Sequence, residues 1–217
     1  MRSLQGDLAF GSADDADHAA SITVAGDLVG NVGTIPVPGG EDVHSRGALD
    51  LTVAGSLYGP VAVHQKTEDP GDESGNAAVV VRDEIAGDLY AAQDLAVQCF
   101  WGDVTSTSIQ AGRDLAVDTL GSLLMEGNVS AGGDAALTAL GLIKINEGYS
   151  LTAAGDATLA AHENDFHRAP VTAGGDVSLT LVGPLTDTSV SAGQNIFILS
   201  QGALLGDGAI TADGTAE

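Results

Sequence analysis

Short stretches in which apolar residues alternate with polar or small ones are the main pattern of this sequence. Val177, Leu179 and Leu181 are separated by a serine and a threonine, and Leu115 and Val117 are separated by an alanine. A period of two places successive side chains on opposite faces of the backbone, which is typical of a half-buried β-strand. No stretch of the sequence has the period of an amphipathic helix, so we predict an all-β protein.

A short phrase recurs between these stretches and divides the chain into repeats. An alanine is followed by a glycine and, directly or one residue later, by an aspartate and an apolar residue, as at 25–28, 86–89, 111–115 and 173–177. In the second half of the chain the glycines of successive copies stand about 20 residues apart, which is the length of one coil of a solenoid. The spacing is longer in the first half, where Pro- and Gly-bearing polar stretches indicate insertions in loops.

Together these patterns predict a right-handed parallel β-helix, or β-solenoid, of about ten coils. Residues 1–217 form a single domain in this prediction, with irregular coils and longer loops over 1–80 and regular coils over 81–217. We expect the right hand because parallel crossover connections are almost always right-handed. One coil cannot bury its apolar face alone, so stacking at about 4.8 Å per coil makes the core continuous.

The recurring phrase is interpreted as a corner between two strands. Glycine can adopt a positive φ, and the aspartate can accept a hydrogen bond from the backbone of its own turn. Aspartates or their substitutes are therefore expected at equivalent corners of successive coils, at Asp27, Ser56, Asp88, Asp114, Asp134, Asp156, Asp176 and Asn195. Ionised carboxylates stacked in this way would repel each other by about 3 kcal/mol per pair at an effective dielectric constant of 20.

Two arrangements would relieve this repulsion. The carboxylates can be exposed, each bonded to its own turn, or Ca²⁺ can bridge them, because hard cations prefer oxygen ligands. The calcium candidates are three corner aspartates and an acidic cluster near the start of the chain: Asp134, Asp156 and Asp176, and Asp14, Asp15 and Asp17. The sequence lacks the tandem Gly-Gly-x-Gly-x-Asp repeat of secreted calcium-binding toxins, so we favour exposed corners and expect no cofactor.

Composition and charge limit the classes of molecule that this protein is expected to bind. Seven basic residues against 30 acidic ones give a net charge of −23, which would be repelled by nucleic-acid phosphates and by anionic lipids. No apolar run approaches the roughly 18 residues of a membrane helix, so membrane insertion is not expected. Aromatic residues make up 4%, so the core must be aliphatic. The one cysteine, Cys99, is expected to be a small buried side chain.

The phrases at 109–117 and 151–159 resemble the repeats of filamentous-haemagglutinin-type exoproteins, which are large bacterial surface or secreted adhesins with right-handed β-helical shafts. Because the recurring pattern continues to the last residues, we expect a fragment of a longer repetitive protein. The resemblance implies a location outside the cell or on its surface. It implies a non-enzymatic structural or adhesive role, with glycans or proteins of host or neighbouring cells as partners.

Two other functions are compatible with the same repeats. A solenoid with exposed end coils can associate end to end into filaments, because such ends present unpaired backbone groups. A β-helix can also carry a carbohydrate-active site, which needs a pair of carboxylates in a cleft. Adjacent acids such as Asp83 and Glu84 would point to opposite faces of a strand. We therefore predict no catalytic residues.

Overall fold

The structure is a computed structural model that describes residues 3–6, 8–10, 20–34, 48–63, 75–162, 166–167 and 169–217. The two long loops, predicted within residues 30–48 and 62–80, lie largely outside the described residues, which omit 35–47 and 64–74. In the part of the chain that the structure describes there is no helix. No helical segment in that part could therefore cross a membrane.

The described residues form short strands throughout. In chain order these are β1 (Leu4–Gln5), β2 (Leu8–Phe10), β3 (Ala20–Val24), β4 (Leu28–Val29), β5 (Val32–Thr34), β6 (Leu49–Val53), β7 (Leu57–Tyr58), β8 (Val61–Val63), β9 (Ala77–Val81), β10 (Ile85–Ala86), β11 (Leu89–Ala91), β12 (Leu95–Cys99), β13 (Val104–Ser106), β14 (Ile109–Ala111), β15 (Leu115–Thr119), β16 (Leu123–Met125), β17 (Val129–Ala131), β18 (Ala135–Ala139), β19 (Ile143–Ile145), β20 (Leu151–Ala153), β21 (Ala157–Ala161), β22 (Phe166–His167), β23 (Val171–Ala173), β24 (Val177–Leu181), β25 (Leu185–Thr186), β26 (Val190–Ala192), β27 (Ile196–Ser200), β28 (Leu204–Leu205) and β29 (Ile210–Ala212).

The strands stack into three parallel sheets that run along a solenoid. Sheet I contains the nine five-residue strands from β3 to β27, taken every third strand. Sheet II contains seven strands from β1 to β19 and is followed by a three-stranded sheet of β22, β25 and β28. Sheet III contains ten strands from β2 to β29. Each coil passes through sheets I, II and III in that order, and so has three corners.

The prediction of an all-β parallel solenoid is confirmed. The described chain makes about eight turns, slightly fewer than the ten expected. The first two full coils begin at Ala20 and Leu49, whereas later coils begin about 20 residues apart.

The core is a set of columns in which equivalent residues of successive coils lie on top of one another. Val97, Val117, Leu137 and Leu159 pair directly in sheet I and are all buried. Their outward neighbours on the same strands are polar or small, as the alternation predicted. The core that the structure describes is aliphatic, and Cys99 belongs to it. Burial is the main cause that raises the pKa of the Cys99 thiol.

We predicted that the glycines of the recurring phrase adopt a positive φ, but their role in the structure is to allow close contact between coils. Gly112 and Gly132 have no positive φ. They are close-approach positions instead. A Cβ on Gly132 would lie 2.0 Å from the carbonyl oxygen of Gly112, and one on Gly112 would lie 1.9 Å from that of Ala92. Glycine therefore lets adjacent coils approach each other at the corner.

Candidate functional site: an acidic corner and an apolar ridge

The corner aspartates do not form the single column that we predicted. Asp27 lies between sheets I and II, at the first corner of its coil, and Asp88 lies between sheets II and III, at the second corner. Asp114, Asp134 and Asp156 lie between sheets III and I, at the third corner. Ser56 lies at the first corner as well, so the prediction of equivalent positions is wrong for Asp27, Ser56 and Asp88. The reason is that the same local phrase can form any of the three corners.

At the third corner, side-chain oxygens link successive coils. The Oδ1 atom of one residue accepts a hydrogen bond from the backbone N–H of the equivalent residue in the next coil. We call the acceptor residues the third-corner ladder. Its steps are Asn76 to Asp94 (3.1 Å), Asp94 to Asp114 (3.2 Å), Asp114 to Asp134 (2.9 Å), Asp134 to Asp156 (2.8 Å), Asp156 to Asp176 (2.7 Å), Asp176 to Asn195 (2.8 Å) and Asn195 to Thr215 (3.0 Å).

The ladder follows from the direction of the backbone groups at this corner. The N–H groups of Gly132, Gly133 and Asp134 all point to the preceding coil, and the first two reach carbonyl oxygens there. The carbonyl oxygen of Asp114 is turned away, because it accepts from the N–H of Leu95 at 2.9 Å. The N–H of Asp134 therefore donates to the side-chain Oδ1 of Asp114 and not to the carbonyl oxygen of Asp114.

The other two corners use the same arrangement less regularly. Asp27 Oδ1 accepts from the N–H of Ser56 at 3.0 Å at the first corner. Asp88 Oδ1 accepts from the N–H of Ser108 at 3.0 Å at the second corner. We expected each aspartate to bond to its own turn. The bonds run between coils instead, because there a backbone donor would otherwise lack a partner.

Asp94 is the one ladder residue that also pairs with a cation in the described structure. Arg113, in the next coil, donates from Nε to Asp94 Oδ1 at 2.6 Å, and its Nη2 pairs with Asp94 Oδ2. This hydrogen bonding is the largest cause that lowers the pKa of the Asp94 carboxyl, and the N–H of Asp114 acts in the same direction. Sequence reasoning missed Asp94 because its coil has alanine and glutamine before the aspartate, where the phrase has glycine.

We expect a pH dependence of stability from this pair. A carboxyl group whose pKa is lowered in the folded state stabilises the fold at pH values above its ordinary pKa of about 3.9. This contribution is lost as the pH falls through the folded-state pKa. Arg113→Gln should therefore lower the free energy of unfolding near neutral pH, and this effect should shrink as the pH falls below the ordinary aspartate value and through the folded-state value. Urea unfolding of both proteins at several pH values measures the difference. A difference that is unchanged down to low pH would contradict the assignment.

The predicted calcium ligands are only partly described. Asp134, Asp156 and Asp176 are brought together as neighbours in the ladder, and one oxygen of each accepts a backbone hydrogen bond. Asp14, Asp15 and Asp17 lie outside the described residues. Among the residues that the structure covers, no three His, Cys, Asp or Glu side chains are grouped as metal ligands would be.

Exposed apolar side chains form a line along the first corner, which we call the apolar ridge. It consists of the residue that follows the sheet I strand in four coils, Phe100, Leu120, Leu140 and Val182, together with Trp101. These side chains are 38%, 48%, 51%, 39% and 72% exposed. His162 holds the equivalent position in the coil between Leu140 and Val182 and is exposed. Backbone bonds hold the ridge residues in line, as from Leu140 N–H to the carbonyl oxygen of Thr119 at 3.0 Å.

The outer face of sheet I forms a shallow groove between the ridge and the third corner. Its floor is made of small or short side chains, including Ala96, Ala116 and Ala136, with Gln98 and Asp118 beside them. The ridge and the ladder therefore border one face of the rod, with an apolar edge on one side and an acidic edge on the other.

Sequence reasoning missed the ridge, although a signal for it is present. Leu120 follows Asp114 by six residues, and Leu140 follows Asp134 by the same interval. An apolar residue at this fixed distance directly follows a five-residue strand of sheet I. It lies at the first corner, where its side chain is exposed. Phe100 and Trp101 directly follow the buried Cys99 in the sequence, at the end of a strand of sheet I.

The fold defines the class of this protein as a parallel β-solenoid repeat protein. Comparisons of the chain with protein-family models, with curated proteins and with solved structures gave no match. The β-solenoid architecture is compatible with the resemblance to filamentous-haemagglutinin-type repeats. No family match supports membership of that family.

Proposed function

We propose that this chain is a rigid, non-enzymatic shaft of a surface or secreted bacterial protein, and that it adheres to partner molecules through the apolar ridge. The ridge carries this proposal. It concentrates exposed apolar side chains on one line of a rod with a net charge of −23. Phe100, Leu120 and Leu140 follow one another in adjacent coils, and exposed apolar patches mark interaction sites on soluble proteins.

The role as a shaft is supported by the way the coils are joined. Each coil contacts its neighbours through three parallel sheets, and the third-corner ladder adds a side-chain bond at every step from Asn76 to Thr215. A solenoid of this type is quasi-one-dimensional and extends along its axis without changing its cross-section. Such a rod holds a binding surface at a fixed distance from its base.

In the described part of the chain, the groove on sheet I does not have the two carboxylates of a carbohydrate-active site. Asp118 is the one acidic side chain among the described residues that line this groove. Hydrolysis of a glycosidic bond ordinarily takes two carboxylates on opposite sides of the bond. Asp83 and Glu84 do not supply such a pair, because both lie in a corner, where Asp83 pairs with Arg82 and Glu84 accepts from the Tyr58 hydroxyl.

Adhesion through the ridge is tested with beads coated with the protein, applied to cultured host-cell monolayers and to a glycan array. The variant Trp101→Ala, Leu120→Ser, Leu140→Ser should reduce bound beads about tenfold, because aromatic and large apolar anchors dominate binding energy. All three side chains are exposed, so the variant should fold normally, which circular dichroism verifies.

The matched control replaces exposed apolar residues away from the ridge. Val29→Ser with Tyr58→Ser removes two large side chains of sheet II that are 37% and 40% exposed, and should leave binding unchanged. Equal loss in both variants, or no binding by the unchanged protein above an albumin-coated bead, would refute the proposed adhesive role.

A further inference from the structure

The outward positions of sheet I repeat in the same order in three successive coils. From the third corner to the ridge they are an aspartate, an alanine, a polar residue and an apolar residue, each two positions after the last. The three stretches run from Asp94 to Phe100, from Asp114 to Leu120 and from Asp134 to Leu140. Because the strands pair in register, like positions lie above one another. The groove therefore has an acidic edge, a floor and an apolar edge, all parallel to the rod axis.

The floor of the groove is low because much of it is alanine. One column over four coils consists of Ala78, Ala96, Ala116 and Ala136. At about 4.8 Å per coil this column is about 14 Å long, and the six steps from Asp114 to Leu120 span at most about 20 Å across it. The groove has a volume of about 400 Å³. An α-helix with its side chains is about 10 Å in diameter, so one helix fits along the column between the two edges.

The groove is negatively charged on one side and apolar on the other. Asp114 and Asp134 are exposed at the third corner, and Asp118 is exposed in the floor. None of the described residues that line the groove is a lysine or an arginine. Arg113, at the same corner, is paired with Asp94. A complementary ligand therefore carries positive charge along one side and apolar groups along the other.

We propose that the groove binds a basic amphipathic α-helix of a partner protein. The apolar side of this helix packs on Phe100, Leu120 and Leu140, and its lysine or arginine side chains face Asp114 and Asp134. The binding of such a helix rests on the adhesive function proposed above, and it defines the chemical class of the partner. One helical turn rises about 5.4 Å and one coil about 4.8 Å, so successive turns of a helix of about ten residues face successive coils.

The floor favours a helix over an extended peptide or a glycan chain. The strands β12 and β15 pair with neighbours on both sides, so they offer no edge to which a partner strand could add. An extended peptide would leave backbone groups without partners over the alanine column, whereas a helix pairs its own. The hydroxyl groups of a glycan would meet the same column, where the side chains form no hydrogen bonds.

A second copy of this chain, or one of its own segments, matches the groove less well. The described part of the chain contains no helix, and the whole chain carries a net charge of −23. The segment 64–74, which lies between β8 and β9 in the sequence, has four acidic residues and one lysine. Either occupant would bring negative charge to the aspartates of the groove, and the juxtaposition of like charges opposes binding.

The test uses a fluorescently labelled peptide of about 15 residues, with leucine on one face of its helix and lysine on the other. Fluorescence anisotropy should show that it binds the unchanged protein. Raising the salt concentration from about 0.05 M to about 0.5 M should weaken binding, because the aspartates are exposed and are screened by salt. A peptide of the same composition, with leucine and lysine mixed around the helix, should bind about tenfold more weakly.

Two pairs of charge substitutions separate the groove from the overall negative charge. Asp118→Asn with Asp134→Asn should weaken peptide binding about fivefold, because each exposed ion pair contributes little by itself. The matched control is Glu126→Gln with Asp207→Asn, at exposed positions of the second corner, and it should change binding less than about twofold. Both pairs remove two negative charges, and asparagine at 134 keeps the acceptor oxygen of the ladder.

A substitution in the floor tests the close approach of the helix. Ala116→Gln places a longer side chain in the alanine column and should weaken peptide binding about tenfold, because a helix can no longer contact both edges. Thr152→Gln, at an exposed outward position of sheet III, is the matched control and should not change binding. No binding, equal binding of the mixed peptide, or equal losses in a groove variant and its control would each overturn the proposal.

The bead assay distinguishes failure of this proposal from failure of the adhesive role. Beads coated with the Ala116→Gln variant should lose adhesion together with peptide binding. Normal adhesion of these beads, with loss in the ridge variant, would preserve the adhesive role and refute a helical partner in the groove. Peptide binding in the groove with no adhesion of the unchanged protein would support the groove as a helix-binding site and refute only the adhesive role.

Discussion

Replacing Leu137 with alanine is expected to lower the free energy of unfolding by about 3 kcal/mol. Leu137 is fully buried in sheet I, where it pairs with Val117 in the preceding coil and with Leu159 in the following one. Removing three carbon atoms leaves a cavity between two coils that cannot collapse without breaking the strand register. Urea unfolding followed by circular dichroism measures the change.

The neighbouring residue provides the control for this prediction. Thr138 lies on the same strand and points outward, so Thr138→Ala should change the free energy of unfolding by less than about 0.5 kcal/mol. Both substitutions affect the same strand and the same backbone bonds. Equal effects of the two would show that burial in the solenoid does not account for the stability of this coil.

Breaking the third-corner ladder is the second change with a large expected effect. Simultaneous replacement of Asp114, Asp134 and Asp156 by alanine removes the acceptors for three backbone N–H groups. Each lost bond at this exposed corner should cost about 1 kcal/mol, giving a total near 3 kcal/mol at high salt, where the repulsion between the carboxylates of adjacent coils is screened. The melting temperature and urea midpoint of the triple variant measure this loss.

Replacement of the same three residues by asparagine distinguishes hydrogen bonding from charge. Asparagine retains the accepting Oδ1, and the chain already uses it at Asn76 and Asn195. The asparagine variant also removes repulsion between carboxylates in adjacent coils, so at low salt it should be at least as stable as the unchanged protein. Its advantage should shrink as salt increases. If it were as unstable as the alanine variant, the ladder would not act through its acceptor oxygens.

The strands and their stacking could be predicted from the sequence because both depend on local or regularly spaced information. The alternation at Val177, Leu179 and Leu181 places three side chains on one face of β24, and all three are buried. The repeat of about 20 residues identified the coil, because a solenoid brings residues one repeat apart into contact.

The assignment of corners could not be made in the same way. Asp27 and Asp88 stand in nearly identical phrases, yet they lie at different corners of their coils. The phrase favours a bend but does not specify which two sheets the bend connects. That choice is set by the length of the strands on either side and by pairing with the adjacent coil.

The candidate site was harder to predict than the fold. Leucine is usually a core residue, so the type of Leu120 and Leu140 does not indicate an exposed position. Only the register of the coils shows that they follow the end of a sheet I strand. The hydrogen bond from Asp134 N–H to Asp114 Oδ1 joins residues one coil apart, so the local sequence around either residue does not show it. Periodic features of this kind require the coil length to be known first.

The third-corner ladder also makes the coil an interchangeable unit. The ladder bonds join each of these residues to its counterparts in the two adjacent coils, and Asp114, Asp134 and Asp156 are chemically the same in this respect. Tandem duplication or deletion of one coil would bring equivalent ladder residues next to each other at the new junction. The hydrogen bonds between the other coils would remain in place. The length of the molecule can therefore change in evolution by whole modules, with no redesign of the junctions between them.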